Sequence, residues 1–205
     1  DGSMAQMPSK EAIKKSVAKV GYKDIVVDPK NSTVFLKNKG MKIGFGAIGK
    51  GYAADKAKKL LISNGVSGGI INASGDINSW GSKPSGSSWQ VAITNPLNKN
   101  KAFAMLPIKD AVVTSGNYEK YVTFNSRRYS HIIDPRTGYP SQGIISVTVF
   151  APKAELADAL ATSVFVMGVE TGIDRINQLK GVECIIITDT GSIITSNNLT
   201  LNTQE

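Results

Sequence analysis

The sequence predicts an α+β domain with an antiparallel or mixed β-sheet core and flanking helices. Two patterns carry this reading. Short β-branched and apolar segments outnumber the helical ones. They also come in runs instead of alternating with helices, which argues against a doubly wound parallel sheet. The 205 residues make one medium domain, or two small ones sharing a core, and residues 1–205 are read as a single unit. With 41% hydrophobic and 20% charged residues, the composition excludes a disordered, collagen-like or coiled-coil chain.

In chain order, Ser9 is an N-cap for a helix through Glu11, Ala12, Ile13, Val17 and Val20, stopped at Gly21. DIVVD (24–28) and TVFLK (33–37) read as strands of a hairpin turned by Pro29, Lys30 and Asn31. MKIGF (41–45) reads as a third strand leading into the glycine-rich turn at 46–51. That turn opens a helix through Tyr52, Ala53, Ala57, Leu60 and Leu61, ended by Asn64-Gly65. GGIINA (68–73) is a strand before Ser74-Gly75-Asp76. WQVAIT (89–94), AFAML (102–106), AVVTS (111–115), YVTF (121–124), RYSHII (128–133) and IISVTVF (144–150) follow as strands between turn-rich stretches. A helix from Lys153 to Met167 stops at Gly168, and a shorter one covers Glu170 to Leu179. VECIIIT (182–188), a turn at 189–191 and SIIT (192–195) close the chain.

The net charge of +8 is uneven. Residues 1–60 hold 13 Lys against 5 acids, whereas the remainder is balanced at 11 of each sign. Lys14, Lys15, Lys19, Lys58 and Lys59 read as solvated helix faces. They lack the interleaved aromatics of a nucleic-acid surface, so nucleic acid is not expected as a partner. The single cysteine, Cys184, lies in an apolar stretch and reads as a buried thiol. It excludes an internal disulfide and a cysteine zinc cage.

Four segments are more polar or glycine-rich than packing requires. GFGAIGKG (44–51) joins a strand to a helix start, where backbone N–H groups and the dipole attract an anion and Lys50 adds a positive charge. It lacks the Walker A and GxGxxG spacings, and by pattern alone an ordinary helix start is the favoured reading. TSGNY (114–118) reads first as a sharp turn, or else as hydroxyls beside a glycine that suit a phosphate. SHIIDPRTGYP (130–140) holds His131, the only histidine of the chain, either structural or a proton acceptor. In LADALATSVFVMG (156–168), Asp158 and Thr162 share one face of an apolar helix. Their partners are backbone and water, or a hard cation with oxygen ligands.

Taken together, GAIGKGYAAD, GGIINASGDI, TSGNY, HIIDPRTGYP and ADALATSVFVMG resemble, in order and spacing, the ApbE family of flavin transferases. The resemblance runs from about Pro8 to the C-terminus. It implies an ApbE-like (T-fold-like) domain that moves the FMN part of FAD onto a Thr or Ser hydroxyl of an acceptor flavoprotein, releasing AMP. It implies Mg²⁺ as cofactor, held by Asp158, Thr162 and the Ala47 carbonyl. It implies FAD as substrate, contacted by Lys50, Thr114, Ser115, Gly116, His131 and Ile132, with His131 as the base. Alternatives are an Mg²⁺-dependent FAD pyrophosphatase giving FMN and AMP, and a non-catalytic flavin-binding remnant.

The resemblance also implies an acceptor such as a subunit of a membrane redox complex, and action at the periplasmic face of the bacterial cell envelope. Family members carry a further N-terminal region behind an export or lipoprotein signal, so the chain reads as a fragment or cleaved form, with membrane anchoring only through that missing lipid signal. Two positions depart from the family pattern. Gly44 stands where many members have an Asp, and Ser74 where many have a Gly.

Overall fold

The computed structural model describes residues 7–96, 98–118, 121–125 and 127–201. Its elements in chain order are α1 (Lys10–Val17), β1 (Ile25–Asp28), β2 (Thr33–Leu36), α2 (Gly49–Ser63), β3 (Gly69–Ala73), β4 (Asp76–Trp80), β5 (Trp89–Asn95) and β6 (Asn98–Ile108). There follow β7 (Ala111–Gly116), β8 (Tyr121–Phe124), β9 (Arg127–Ser130), β10 (Ile144–Ala151), α3 (Ala154–Met167), α4 (Val169–Asn177), β11 (Glu183–Thr188) and β12 (Ile193–Thr195). The α+β class is as expected.

Six strands form the central sheet in the order β12-β11-β10-β7-β4-β3, with every neighbouring pair antiparallel. The two-residue period of the strands sends alternate side chains to opposite faces, and both faces are covered. Val113, Val147, Val149, Cys184 and Ile186 face α2, α3 and α4, where Ala54, Ala157, Ala161, Val164, Phe165 and Ile176 complete a core. Val112, Ile185 and Ile187 face the β5–β6 hairpin and pack on Val91, Ile93, Ala104 and Ile108. The molecule is therefore three layers: helices, sheet, hairpin. Because β10 and β11 are covered on both sides, they read as continuous apolar runs instead of alternating ones. The Cys184 thiol is wholly buried, and burial with the nearby Glu183 charge pushes it up to about 12, so it is inert.

Several sequence expectations shift. Ser9 Oγ accepts the Ala12 N–H at 3.1 Å as predicted, but α1 ends at Val17, short of Gly21. Residues 41–45 are not a strand; they find no ladder partner among the described residues and leave Ile43 and Phe45 exposed. The predicted strand at 128–133 ends at Ser130, because the chain turns there to carry His131 and Ile132 away from β9. β4 has no counterpart in the sequence reading. It follows a two-residue turn whose central residues, Ser74 (φ 56) and Gly75 (φ 98), are both left-handed, with Ala73 paired to Asp76. That is the hairpin turn that favours glycine, so Ser74 carries a strain of roughly 1 kcal/mol there. Lys58 is not solvated: its ammonium donates to Asn78 Oδ1 at 2.9 Å and to the Ser79 carbonyl at 2.8 Å.

α2 and α3 meet at their N-termini, and neither has a side-chain cap from its own N-cap residue, Ile48 or Lys153. Each helix caps the other. Asp55 on α2 accepts the Ala154 and Glu155 N–H groups of α3, both at 3.0 Å. Asp158 on α3 accepts the Gly51 N–H of α2 at 3.1 Å. This satisfies donors that every helix start leaves unpaired.

Gly51 lets the two backbones touch: a Cβ there would fall onto the Ala154 carbonyl and lie 2.8 Å from the Glu155 Cα. Gly51→Ala is therefore expected to lower stability in urea denaturation by about 1–3 kcal/mol. Gly49→Ala is the matched control. A Cβ at Gly49 meets only Phe45 at 3.7 Å, so helix propensity should leave that variant neutral or stabilised by up to ~1 kcal/mol. Equal losses from both would refute the close-approach argument. Asp55→Ala should cost about 1–2 kcal/mol by the same measurement, since it uncaps α3 and strips Asn78 of its acceptor.

Candidate active site

One cavity of about 350 Å³ opens where the N-terminal turn of α2, the end of β7, the loop after β9 and the buried face of α3 converge. All nine residues singled out from the sequence line it: Ala47, Lys50, Thr114, Ser115, Gly116, His131, Ile132, Asp158 and Thr162. Residues 107 positions apart in the chain, Gly51 and Asp158, are hydrogen-bonded at its floor.

Each side chain has a structural reason for its place. Asp158 and Thr162 lie one helical turn apart on α3, the face that packs on the sheet. Asp158 is buried, and one of its oxygens is committed to the α2 N-terminus. The positive end of that helix, expected from the sequence to attract a phosphate, thus already holds a carboxylate. Thr162 Oγ1 lies 3.2 Å from Ser115 Oγ, joining α3 to β7. Thr114 points to the other face of the sheet, where its hydroxyl pairs with Thr148 at 2.8 Å. It borders the cavity with its hydroxyl already engaged. Ala47 sits in the turn at 46–48. Gly116 ends β7, with Tyr118 lying against it.

His131 is exposed at the rim, on a loop and not on a strand. Two ties hold that loop. Arg136 clasps Asp134 with contacts of 2.9 and 3.2 Å and donates to the Val166 carbonyl at the end of α3 at 3.2 Å. The Arg136 guanidinium holds the Asp134 carboxyl below its ordinary range. Gly138 (φ 76) lies against Ile13 and Val17 of α1, which docks the turn from the other side.

One site residue was not singled out from the sequence. Asp76, the first residue of β4, is wholly buried; its Oδ1 accepts the Lys50 ammonium at 2.6 Å. Its Oδ2 has no hydrogen-bond partner among the described residues. Burial raises its carboxyl to about 6, against the pull of Lys50, and the adjacent Asp158 adds to the rise. Reading Ser74-Gly75 as a hairpin turn would have placed Asp76 at a strand start next to the cavity.

The donors suit a hard cation. The buried Asp158 carboxylate and the Thr162 and Ser115 hydroxyls line the cavity, and a second buried carboxylate, Asp76, adjoins it through its contact with the Lys50 ammonium. Among the described residues no three His, Cys, Asp or Glu side chains form a complete metal cage. A shallower, mostly apolar hollow adjoins the cavity and includes Gly44, Ile48, Pro135 and Met167. A Cβ at Gly44 would meet nothing within 4 Å, so packing does not exclude a larger side chain there.

Comparison with known proteins finds relatives that share one name and one fold. The chain is 34% identical over 191 residues to a protein of Escherichia coli (strain K12) named FAD:protein FMN transferase, which covers 91% of the chain and 54% of that relative. A protein of the same name from Rhodobacter capsulatus is 39% identical over 167 residues, 79% of the chain and 31% of its own length. The chain spans about half the length of the first of these. Among solved structures, the ApbE protein of Thermotoga maritima superposes with a TM-score of 0.87 at 36% identity, over 94% of this chain and 63% of that one. The flavin transferase ApbE of Vibrio cholerae follows with a TM-score of 0.83 at 27% identity, over 95% and 63%. With the ApbE family model matching residues 1–186, and with its fold shared by these structures, the chain belongs to the ApbE family.

Proposed function

We propose that this chain carries the catalytic cavity of an FAD:protein FMN transferase. The observation behind the proposal is the convergence of Asp158, Thr162, Ser115, Lys50 and His131 on one cavity at the α2–α3 junction, in a chain whose relatives bear that name. FAD is the substrate, and a Thr or Ser hydroxyl of an acceptor flavoprotein is the nucleophile. The hydroxyl oxygen bonds to the FMN phosphorus, the bond from that phosphorus to the bridging oxygen breaks, and AMP leaves with that oxygen.

Lys50 binds and orients the diphosphate. His131, at the open rim, takes the proton of the incoming hydroxyl, which fits a base that must meet a macromolecular acceptor from outside. Asp158, Thr162 and the Ala47 carbonyl would hold Mg²⁺, which when bound neutralises phosphate charge. Ser115 keeps the Thr162 hydroxyl in place from β7. The acceptor we propose is a flavoprotein subunit of a membrane redox complex at the periplasmic face of the bacterial cell envelope; the family resemblance alone supports that part.

Incubation with FAD, Mg²⁺ and an acceptor fragment should yield covalently bound flavin and AMP in equal amounts. Free FMN and AMP without labelled acceptor would replace transfer by hydrolysis. Asp158→Ala should abolish Mg²⁺ binding in calorimetry and abolish transfer. It should also lower stability by about 0.5–2 kcal/mol through the lost α2 cap. Thr162→Val should weaken Mg²⁺ less, because a neutral hydroxyl attracts the ion less than a carboxylate. Unchanged Mg²⁺ affinity in Asp158→Ala would remove the metal assignment. His131→Asn should lower turnover by roughly 10²–10⁴-fold with FAD and Mg²⁺ affinities intact. Full turnover in that variant would leave His131 as part of the cavity wall.

A further inference from the structure

Among the described residues, Asp76 is a buried carboxylate with one oxygen unaccounted for. Its carboxylate is wholly buried at the start of β4, with one oxygen on the Lys50 ammonium at 2.6 Å and the other without a partner among the described residues. A buried carboxylate costs stability unless it is compensated, so its retention needs a reason. Asp158 lies beside it, buried as well, and is the residue on which cation binding rests in the reading above. Two carboxylates and one ammonium leave a single negative charge in this corner. How that charge is divided decides what Asp158 can bind.

We infer that Asp76 is a positioning residue that engages the Lys50 ammonium and thereby leaves the Asp158 carboxylate available to a divalent cation. The inference rests on the reading of Asp158 as a cation ligand and extends it to the residue that makes such binding possible. Without the charge on Asp76, Asp158 is the neighbouring buried carboxylate on which Lys50 can settle. A cation then competes with an ammonium already in place. The same geometry gives Lys50 two constraints. It is held at the cavity wall by a fixed anion, while its side chain stays 40% exposed for an incoming phosphate.

The test is Mn²⁺ binding to the full chain without nucleotide, followed by loss of the free Mn²⁺ signal in electron paramagnetic resonance. Asp76→Asn keeps the shape and removes the charge, and it should weaken Mn²⁺ binding by about tenfold or more. Lys50→Met should bind Mn²⁺ more tightly than the unmodified chain. The double variant, Asp76→Asn with Lys50→Met, should return to within about threefold of the unmodified chain, because the corner again carries one negative charge. A purely structural role for Asp76 would not be rescued by removing Lys50. Affinity in Asp76→Asn within twofold of the unmodified chain, or no rescue in the double variant, would overturn the inference while leaving Asp158 as a ligand. If Asp76→Asn fails to fold, Lys50→Met alone decides, and unchanged or weaker Mn²⁺ binding overturns the inference. No Mn²⁺ binding by the unmodified chain would instead sink the reading of Asp158 itself, and the inference with it.

Discussion

The site depends on the exchange of caps between two helix N-termini. α2 begins in a glycine-rich turn and α3 begins at Lys153-Ala154, and neither N-cap residue caps its own helix. Asp55 and Asp158 supply the missing acceptors across the interface. The exchange works only at backbone contact distance, which Gly51 against Ala154 allows. A charged group that stabilises a helix start by dipole and hydrogen bond is thereby also the group at the floor of the cavity. Structure and chemistry share Asp158: one oxygen is committed to the fold, and its burial leaves little freedom in where the other lies.

The remaining parts are fixed to this junction from three sides. The sheet brings β7 under α3, so that Ser115 meets Thr162. Asn78, one turn of the β4 pleat beyond Asp76, donates to Asp55 at 2.5 Å and accepts from Lys58, tying β4 to the α3 cap. The loop carrying His131 is fastened to the far end of α3 through Asp134 and Arg136, and to α1 through Gly138. Floor and sides are thus built from regular elements, whereas the rim that carries His131 is a loop held by Arg136 and by the packing of Gly138 on α1. In the proposed function the floor of regular elements would meet the charged nucleotide, and the open rim the acceptor protein.

Much of this was legible in the sequence. The strands read at 144–150 and 182–188 are β10 and β11 of the central sheet, and the helix read from Lys153 to Met167 is α3. The pairing of Asp158 and Thr162 on an apolar helix marked a polar site in the core, because such groups need partners. The errors fell where local signals were weak. Residues 41–45 have strand-like composition but, among the described residues, no strand edge to pair with. β4 was missed because DINSW is short and polar, and because Ser74 stands in a left-handed position that glycine ordinarily marks. Lys58 looked solvated because helical periodicity does not report an acceptor that arrives from another strand.

The sequence by itself determined the fold class, the family resemblance and the residue types available for chemistry, since these follow from periodicity, turn residues and motif spacing. Only the tertiary structure decided how those residues are paired. It set the carboxylate of Asp158 on the N-terminus of α2, where a phosphate was expected. It turned the Thr114 hydroxyl to the far face of the sheet, and it made Asp76 the anion for Lys50. The reason is that hydrogen bonds and charge pairs depend on distances between elements far apart in the chain. Packing fixes those distances; local pattern does not.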